Sequence, residues 1–159
     1  MKTADPVPAS QTGGWLGTMP RAARQSLLRM ARKVSYHGGV EIVREGERAD
    51  EVGIVLSGRV ALQLSVPERG RVTVQTADPG DVFTLSAILP PHRASMTAVA
   101  LEPTDALVLA ADDLRAAFAD DCELTAAFYY AVSRELQRRL AAVQETVLDL
   151  LPPPDRTLR

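Results

Sequence analysis

Apolar residues recur at spacings of three and four near both ends of this chain, and at every second position through its middle. In residues 15–34, Leu27, Met30, Ala31 and Val34 follow helical spacing after Met19-Pro20, a proline suited to a first helical turn. An amphipathic helix ended by Gly38-Gly39 is predicted there. Seven of the ten glycines (38, 39, 46, 53, 58, 70 and 80) then separate short runs rich in Val, Ile and Leu. These runs are 40–44, 51–56, 59–66, 71–75 and 96–110, the last interrupted at 102–105. Val60, Leu62 and Leu64 alternate with Ala61, Gln63 and Ser65, the period of a half-buried strand. Short strands divided by glycine turns predict a β-barrel or sandwich, with hairpin turns at Ser57-Gly58 and Glu68-Arg69-Gly70.

Helical spacing returns at Ala111. Asp112 and Asp113 are placed to cap a short helix reaching about Ala119, and Asp120-Asp121 to cap a long one over 122–150. In that long helix Leu136, Leu140, Val143, Val147 and Leu150 are spaced 4, 3, 4 and 3, a heptad seam. Such a seam predicts a homodimer, the alternative being that the helix lies on its own barrel. Pro152-Pro153-Pro154 stops it. The organisation expected is a flexible tail over 1–14, one domain over 15–150 with its barrel at about 35–110, and a proline-rich tail over 151–159.

Composition narrows the chemistry. At 159 residues, 46% hydrophobic and 24% charged, the chain suits one folded domain and excludes wholesale disorder. Its net charge is −2 and its arginines are scattered, so no basic face points to nucleic acid or an anionic membrane. Cys122 is the only cysteine and His37 and His92 the only histidines, which argues against a disulfide framework, a zinc cluster or the histidine-lined barrel of a cupin-like enzyme. No apolar run approaches the ~20 residues of a membrane span, and residues 1–14 lack a signal core, so a cytoplasmic protein is expected. The paired aspartates read as helix caps and the two histidines as loop residues, so catalysis is not expected.

Three motifs stand in order: Gly39-x5-Glu45-Gly46-Glu47-x-Ala49-Asp50, then Val55-Leu56-Ser57-Gly58-Arg59-Val60, then Pro79-Gly80-Asp81-Val82-Phe83. With the helix, barrel, short helix, long helix order, they resemble the cyclic nucleotide-binding domain family over nearly all of 15–148. The resemblance implies an α+β fold, a double-stranded β-helix (a jelly-roll-like β-roll) flanked by an N-terminal helix, a short helix and a long C-terminal helix. It also implies a regulatory module whose ligand (cAMP, cGMP or another small anion, with no further cofactor) sits in the β-roll and shifts the helices against an effector protein.

The family's phosphate-binding cassette runs from Phe-Gly-Glu to Arg-Ala-Ala or Arg-Ser-Ala. A cyclic phosphate carries one negative charge, so a dry pocket must supply an arginine and further donors. Here Arg93-Ala94-Ser95 matches the phosphate end. The resemblance therefore implies phosphate binding by these three residues and a sugar pocket shaped by Phe83, Thr84, Leu85 and Ser86. Thr84 stands where the family has glycine and Leu85 where it has glutamate. Leucine accepts no hydrogen bond from a ribose hydroxyl, a loss of about 1.5–3 kcal/mol, or roughly 10- to 150-fold in affinity. A subset of prokaryotic members carries a similar Ser-Ala-(Ile/Leu/Val)-x-Pro-Pro-x-Arg stretch, here Ser86 to Arg93. The alternatives are that Arg93 pairs with a carboxylate such as Asp81, and that Leu85 fills a vestigial site in a dimeric protein-interaction module.

In catabolite activator protein-like members, a Thr-Ser pair that follows Arg-Arg-Leu in the long helix touches the base. This chain has Arg138-Arg139-Leu140 and then Val143-Gln144, which leaves Gln144 as the candidate base contact. Those members continue into a helix-turn-helix. This sequence ends at Arg159, so direct DNA binding is not expected of it.

Overall fold

The structure, a computed structural model, describes residues 13–150, with side chains described through Leu148. Residues 1–12 of the tail expected over 1–14, the tail expected over 151–159, and the side chain of Leu150 lie outside the described residues. The elements run α1 (Gly14–Gly17), α2 (Arg21–Met30), β1 (Arg32–Tyr36), β2 (Glu41–Val43), β3 (Glu51–Ser57), β4 (Val60–Val66), β5 (Gly70–Ala77), β6 (Val82–Phe83), β7 (Thr97–Ala100), β8 (Thr104–Ala110), α3 (Ala111–Asp120) and α4 (Cys122–Leu150). A 3-10 turn, Leu85–Ala87, follows β6.

The strands form two four-stranded sheets, β1-β8-β3-β6 and β2-β7-β4-β5, and every pairing is antiparallel. They face each other as a β-roll. Val55, Val60, Leu62, Phe83, Ala98, Ala106 and Val108 fill the space between them. The alternate residues of β3 and β8 (Val52, Ile54, Leu107 and Leu109) point the other way, into a second core shared with the helices. The first sheet is thus buried on both faces, which is why 51–56 and 104–110 read as continuous apolar runs rather than alternating ones. The α+β class, the β-roll and the long C-terminal helix agree with the expectation.

Four local readings need correction. The helix expected over 15–34 is two helices and a strand: Ala31 turns extended, and Arg32–Tyr36 pairs along β8 from Arg32 opposite Val108 to Tyr36 opposite Thr104. Val34 therefore packs into the roll and not along a helix. Ser57-Gly58 is no hairpin, because β3 and β4 belong to different sheets. Asp112 and Asp113 do not cap α3. Its N-cap is Ala110, which makes no side-chain bond, and Asp112 binds Arg115 instead. The two-residue strand β6 was not anticipated, being too short to show a period.

Other local signals match. Glu68-Arg69-Gly70 joins β4 to β5 as a hairpin, with Glu68 at φ 64° and Gly70 at φ 75°. The Asp121 carboxylate accepts a hydrogen bond from the Leu124 N–H at 2.9 Å, an N-cap for α4.

The buried apolar residues that pack helix α4 on the body lie in its first half among the described residues. Leu124, Phe128, Ala131 and Val132 are buried, Phe128 lies edge-on to Trp15 at 5.4 Å between ring centroids, and the Trp15 indole N–H donates to the Ala131 carbonyl. Beyond Glu135 the helix leaves the core, and Leu136, Leu140, Val143 and Val147 are 44–59% exposed. Among the described residues no helix is long and apolar enough to cross a membrane.

Candidate functional site

The segment linking the 3-10 turn to β7 is fixed by a short ladder against the loop after β2. Ala94 N–H donates to the Glu47 carbonyl, Gly46 N–H to the Ala94 carbonyl, and Ala49 N–H to the His92 carbonyl, all at 2.8–2.9 Å. Arg48 and Arg93 form an isolated antiparallel bridge within it. The Gly46-Glu47-x-Ala49 motif therefore holds the backbone that carries Arg93.

Behind this ladder lies a cavity of about 250 Å³ bounded by the turn, the inner face of β4 and β7, and α4. Thr84, Leu85, Ser86, Arg93 and Ser95 line it, five of the seven cassette residues singled out from the sequence. The other two lie nearby. Ala94 is buried and serves the ladder, and Phe83 faces a neighbouring recess of about 350 Å³ that shares Thr84 with the cavity. Phe83 closes on Gly53, where a Cβ would stand 2.1 Å from the ring tip, so glycine is required in that strand.

Each polar group in the cavity has a definite state. The Arg93 guanidinium is exposed, donates to the Gly46 carbonyl at 2.9 Å, and has no carboxylate partner among the described residues. Asp81, the alternative partner, accepts instead from the Asp78 N–H. Thr84 has φ 60° and ψ 39°, the left-handed region in which a β-branched residue is a rare outlier. Its hydroxyl oxygen is buried with no hydrogen-bond partner. Leu85 is 3% exposed and belongs to the helix-side core.

Over residues 33–121 the chain matches the model of the cyclic nucleotide-binding domain family. It belongs to that family. The "CRP-like cAMP-activated global transcriptional regulator" of Mycobacterium tuberculosis is 25% identical over 142 residues, covering 89% of this chain and 61% of that protein. The chain thus spans 61% of the length of the curated relatives it matches. Among solved structures, a cyclic nucleotide-binding domain from Methylobacillus flagellatus superposes with a TM-score of 0.76 at 19% identity, covering 86% of this chain and 76% of that one. The N-terminal domain of a transcriptional regulator from Streptomyces coelicolor A3(2) superposes with a TM-score of 0.68 at 20% identity, covering 92% and 98%.

In this cyclic nucleotide-binding domain the long helix supplies two cavity residues that the sequence reading did not assign to the site. Leu136, read only as part of the seam, also lines the cavity, and so does Arg139. Arg139 donates to the Glu135 carboxylate at 2.6 Å and to the Val82 carbonyl at 2.5 Å, tying α4 to β6. Arg138 binds both oxygens of the same carboxylate, at 2.8 and 2.9 Å. Burial pushes the Glu135 carboxyl up, but the hydrogen bonds from Arg138 and Arg139 outweigh it and hold the group below its usual range. The signal available in sequence was the spacing of Glu135 to Arg138 and Arg139, i to i+3 and i+4, which marks an ion pair but not the side of the helix that meets the cavity. Gln144 lies five residues beyond Arg139, about 7.5 Å further along α4, exposed and not among the residues lining the cavity.

His37 is exposed, and the His92 ring bonds the Ala87 carbonyl through Nδ1 at 3.0 Å. Cys122 is a free, exposed thiol, and no group of three or more metal-ligating side chains occurs among the described residues.

Proposed function

We propose that the protein is a cytoplasmic regulatory module that acts by binding and not by catalysis. A small anionic ligand, cAMP, cGMP or another small anion, enters the cavity, its charged group on Arg93 with Ser95 and the Ala94 backbone beside it. Thr84 and Ser86 shape the sugar side. The observation that carries this reading is Arg93, an arginine fixed at the cavity by a backbone ladder and left without a carboxylate partner among the described residues. Because α4 contributes Leu136 and Arg139 to the same cavity, a ligand there biases how the helix lies on the roll. That shift would be read by an effector protein.

Titration calorimetry with cAMP and cGMP tests the reading. Binding should weaken by about 10- to 150-fold in Arg93→Ala, the worth of a charge-assisted hydrogen bond. Affinity unchanged in that variant would sink the reading. The burial of Leu85 favours a second one, in which the sugar site is vestigial and the module works only through protein contacts. Absence of heat with either nucleotide, together with an intact fold, would leave another small anion or that alternative.

We also propose that α4 forms the interface of a homodimer, with Leu136, Leu140, Val143, Val147 and Leu150 as its seam. The support is the apolar stripe beyond Glu135, whose Leu140, Val143 and Val147 are 51–59% exposed among the described residues. Leu140→Glu, at a position 58% exposed, should leave the fold intact and turn a dimer into a monomer in sedimentation equilibrium. A wild-type protein already monomeric at tens of micromolar, as an order of magnitude for a specific dimer, would refute it.

A further inference from the structure

The cavity has an unusual charge inventory for a ligand with a single negative charge. Its lining includes two charged side chains, Arg93 and Arg139, and no carboxylate. Among the described residues the partner of the Arg93 guanidinium is the Gly46 carbonyl. Arg139 shares Glu135 with Arg138, and the charge of Asp81 acts on Arg138 as well. Two guanidiniums therefore reach the cavity wall, and among the described residues no carboxylate does. A cyclic phosphodiester neutralises one of them, and its sugar hydroxyls find no ionised acceptor.

The other polar side chains of the lining are hydroxyls: Thr84, Ser86 and Ser95. Each can donate to an oxyanion. The Thr84 hydroxyl is buried without a partner, in a backbone conformation that disfavours threonine, and an oxyanion would satisfy it. The remaining walls, Leu62 and Met96 among them, are apolar and suit a short carbon skeleton. At about 250 Å³ the cavity falls just below the ~300–1,000 Å³ of drug-sized pockets, which favours a small ligand.

We propose that the preferred ligand of this cavity is a small organic dianion, a dicarboxylate or a phosphomonoester, with Arg93 as one anchor and Arg139 as the second. This rests on the reading above that the cavity is the ligand site, and it names the class of ligand. Arg139 also holds α4 to β6 through Val82, so a dianion that engages its guanidinium acts directly on the joint between helix and roll.

Two matched pairs of probes test it by calorimetry on the full chain at low ionic strength and neutral pH. One is 5′-AMP against cAMP, with the same base and sugar and the second phosphate charge present or absent. The other is glutarate against butyrate. The doubly charged member of at least one pair should bind about tenfold tighter or better, and the pair that shows it distinguishes phosphomonoester from dicarboxylate. Arg139→Gln should collapse that margin and Arg139→Lys should keep most of it. If Arg139→Gln does not fold, the wild-type pairs decide alone. Singly charged members binding as tightly as their partners in both pairs would overturn the dianion proposal while cAMP binding lost in Arg93→Ala still upheld the ligand site. No binding of any of the four probes would overturn both.

Discussion

Phe128→Ala should be the most damaging single change outside the cavity, lowering stability by about 3–5 kcal/mol. The side chain is fully buried, and its ring lies edge-on to Trp15 and tilted against Phe118 at 4.9 Å. It is where α1, α3 and the first half of α4 meet. Truncation removes apolar contact and leaves a void that three helices cannot close without moving. For a chain of this size each kcal/mol shifts the melting temperature by about 2–4 °C, so a fall of roughly 10 °C is expected in a circular-dichroism melt. A fall under about 3 °C would mean that α4 is not anchored there. Since α4 brings Leu136 and Arg139 to the cavity, the same variant should also bind its ligand more weakly at temperatures where it is still folded.

Gly58→Ala should come next, at about 2–4 kcal/mol, from two additive causes. Gly58 has φ 80°, and a Cβ there would stand 2.5 Å from the Pro103 carbonyl oxygen and 2.8 Å from the Thr104 Cα. Those atoms are backbone at the start of β8 and cannot swing aside. Thr104 is itself buried and bonds the Arg59 and Glu102 carbonyls, which locks the neighbourhood further. Gly70→Ala separates the causes, because Gly70 has φ 75° but nothing within 4 Å of its would-be Cβ. It should show only the left-handed strain, about 1–2 kcal/mol. Equal losses in the two variants, measured by urea denaturation, would show that the crossover has room for a side chain.

The Gly58 result bears on how the chain specifies its fold. In sequence, Ser57-Gly58 between two apolar runs looks like a hairpin, and only the placement of β3 and β4 in different sheets makes it a crossover. The glycine was legible, as a place where the backbone needs positive φ. Its role was not, because a turn signal is local and strand pairing is not.

The same division runs through the rest of the molecule. Alternation at Val60, Leu62 and Leu64, the Glu68-Arg69-Gly70 turn, the Asp121 cap and the seam of α4 were readable because each depends on residues a few positions apart. The order of motifs from Gly39 to Phe83 carried the family, and Arg93, Thr84 and Leu85 were identified by their places in it. Segment Arg32–Tyr36 was misread because its apolar residues fit helical spacing as well as a strand, and pairing with β8 across some seventy residues decided the matter. Val82–Phe83 was too short to show any period. Arg139 was visible as an ion-pair partner of Glu135, but its place at the cavity follows from the docking of α4 through Trp15 and Phe128. The sequence by itself determined the alternation, turn and cap named above, the class of fold and the place of Arg93-Ala94-Ser95 in the motif order. Tertiary structure alone decided which sheet each strand joined, left Arg93 without a carboxylate partner among the described residues, buried Leu85 and brought a second arginine to the cavity wall. Those outcomes turn on contacts between segments far apart in the chain, whose energies no local pattern encodes.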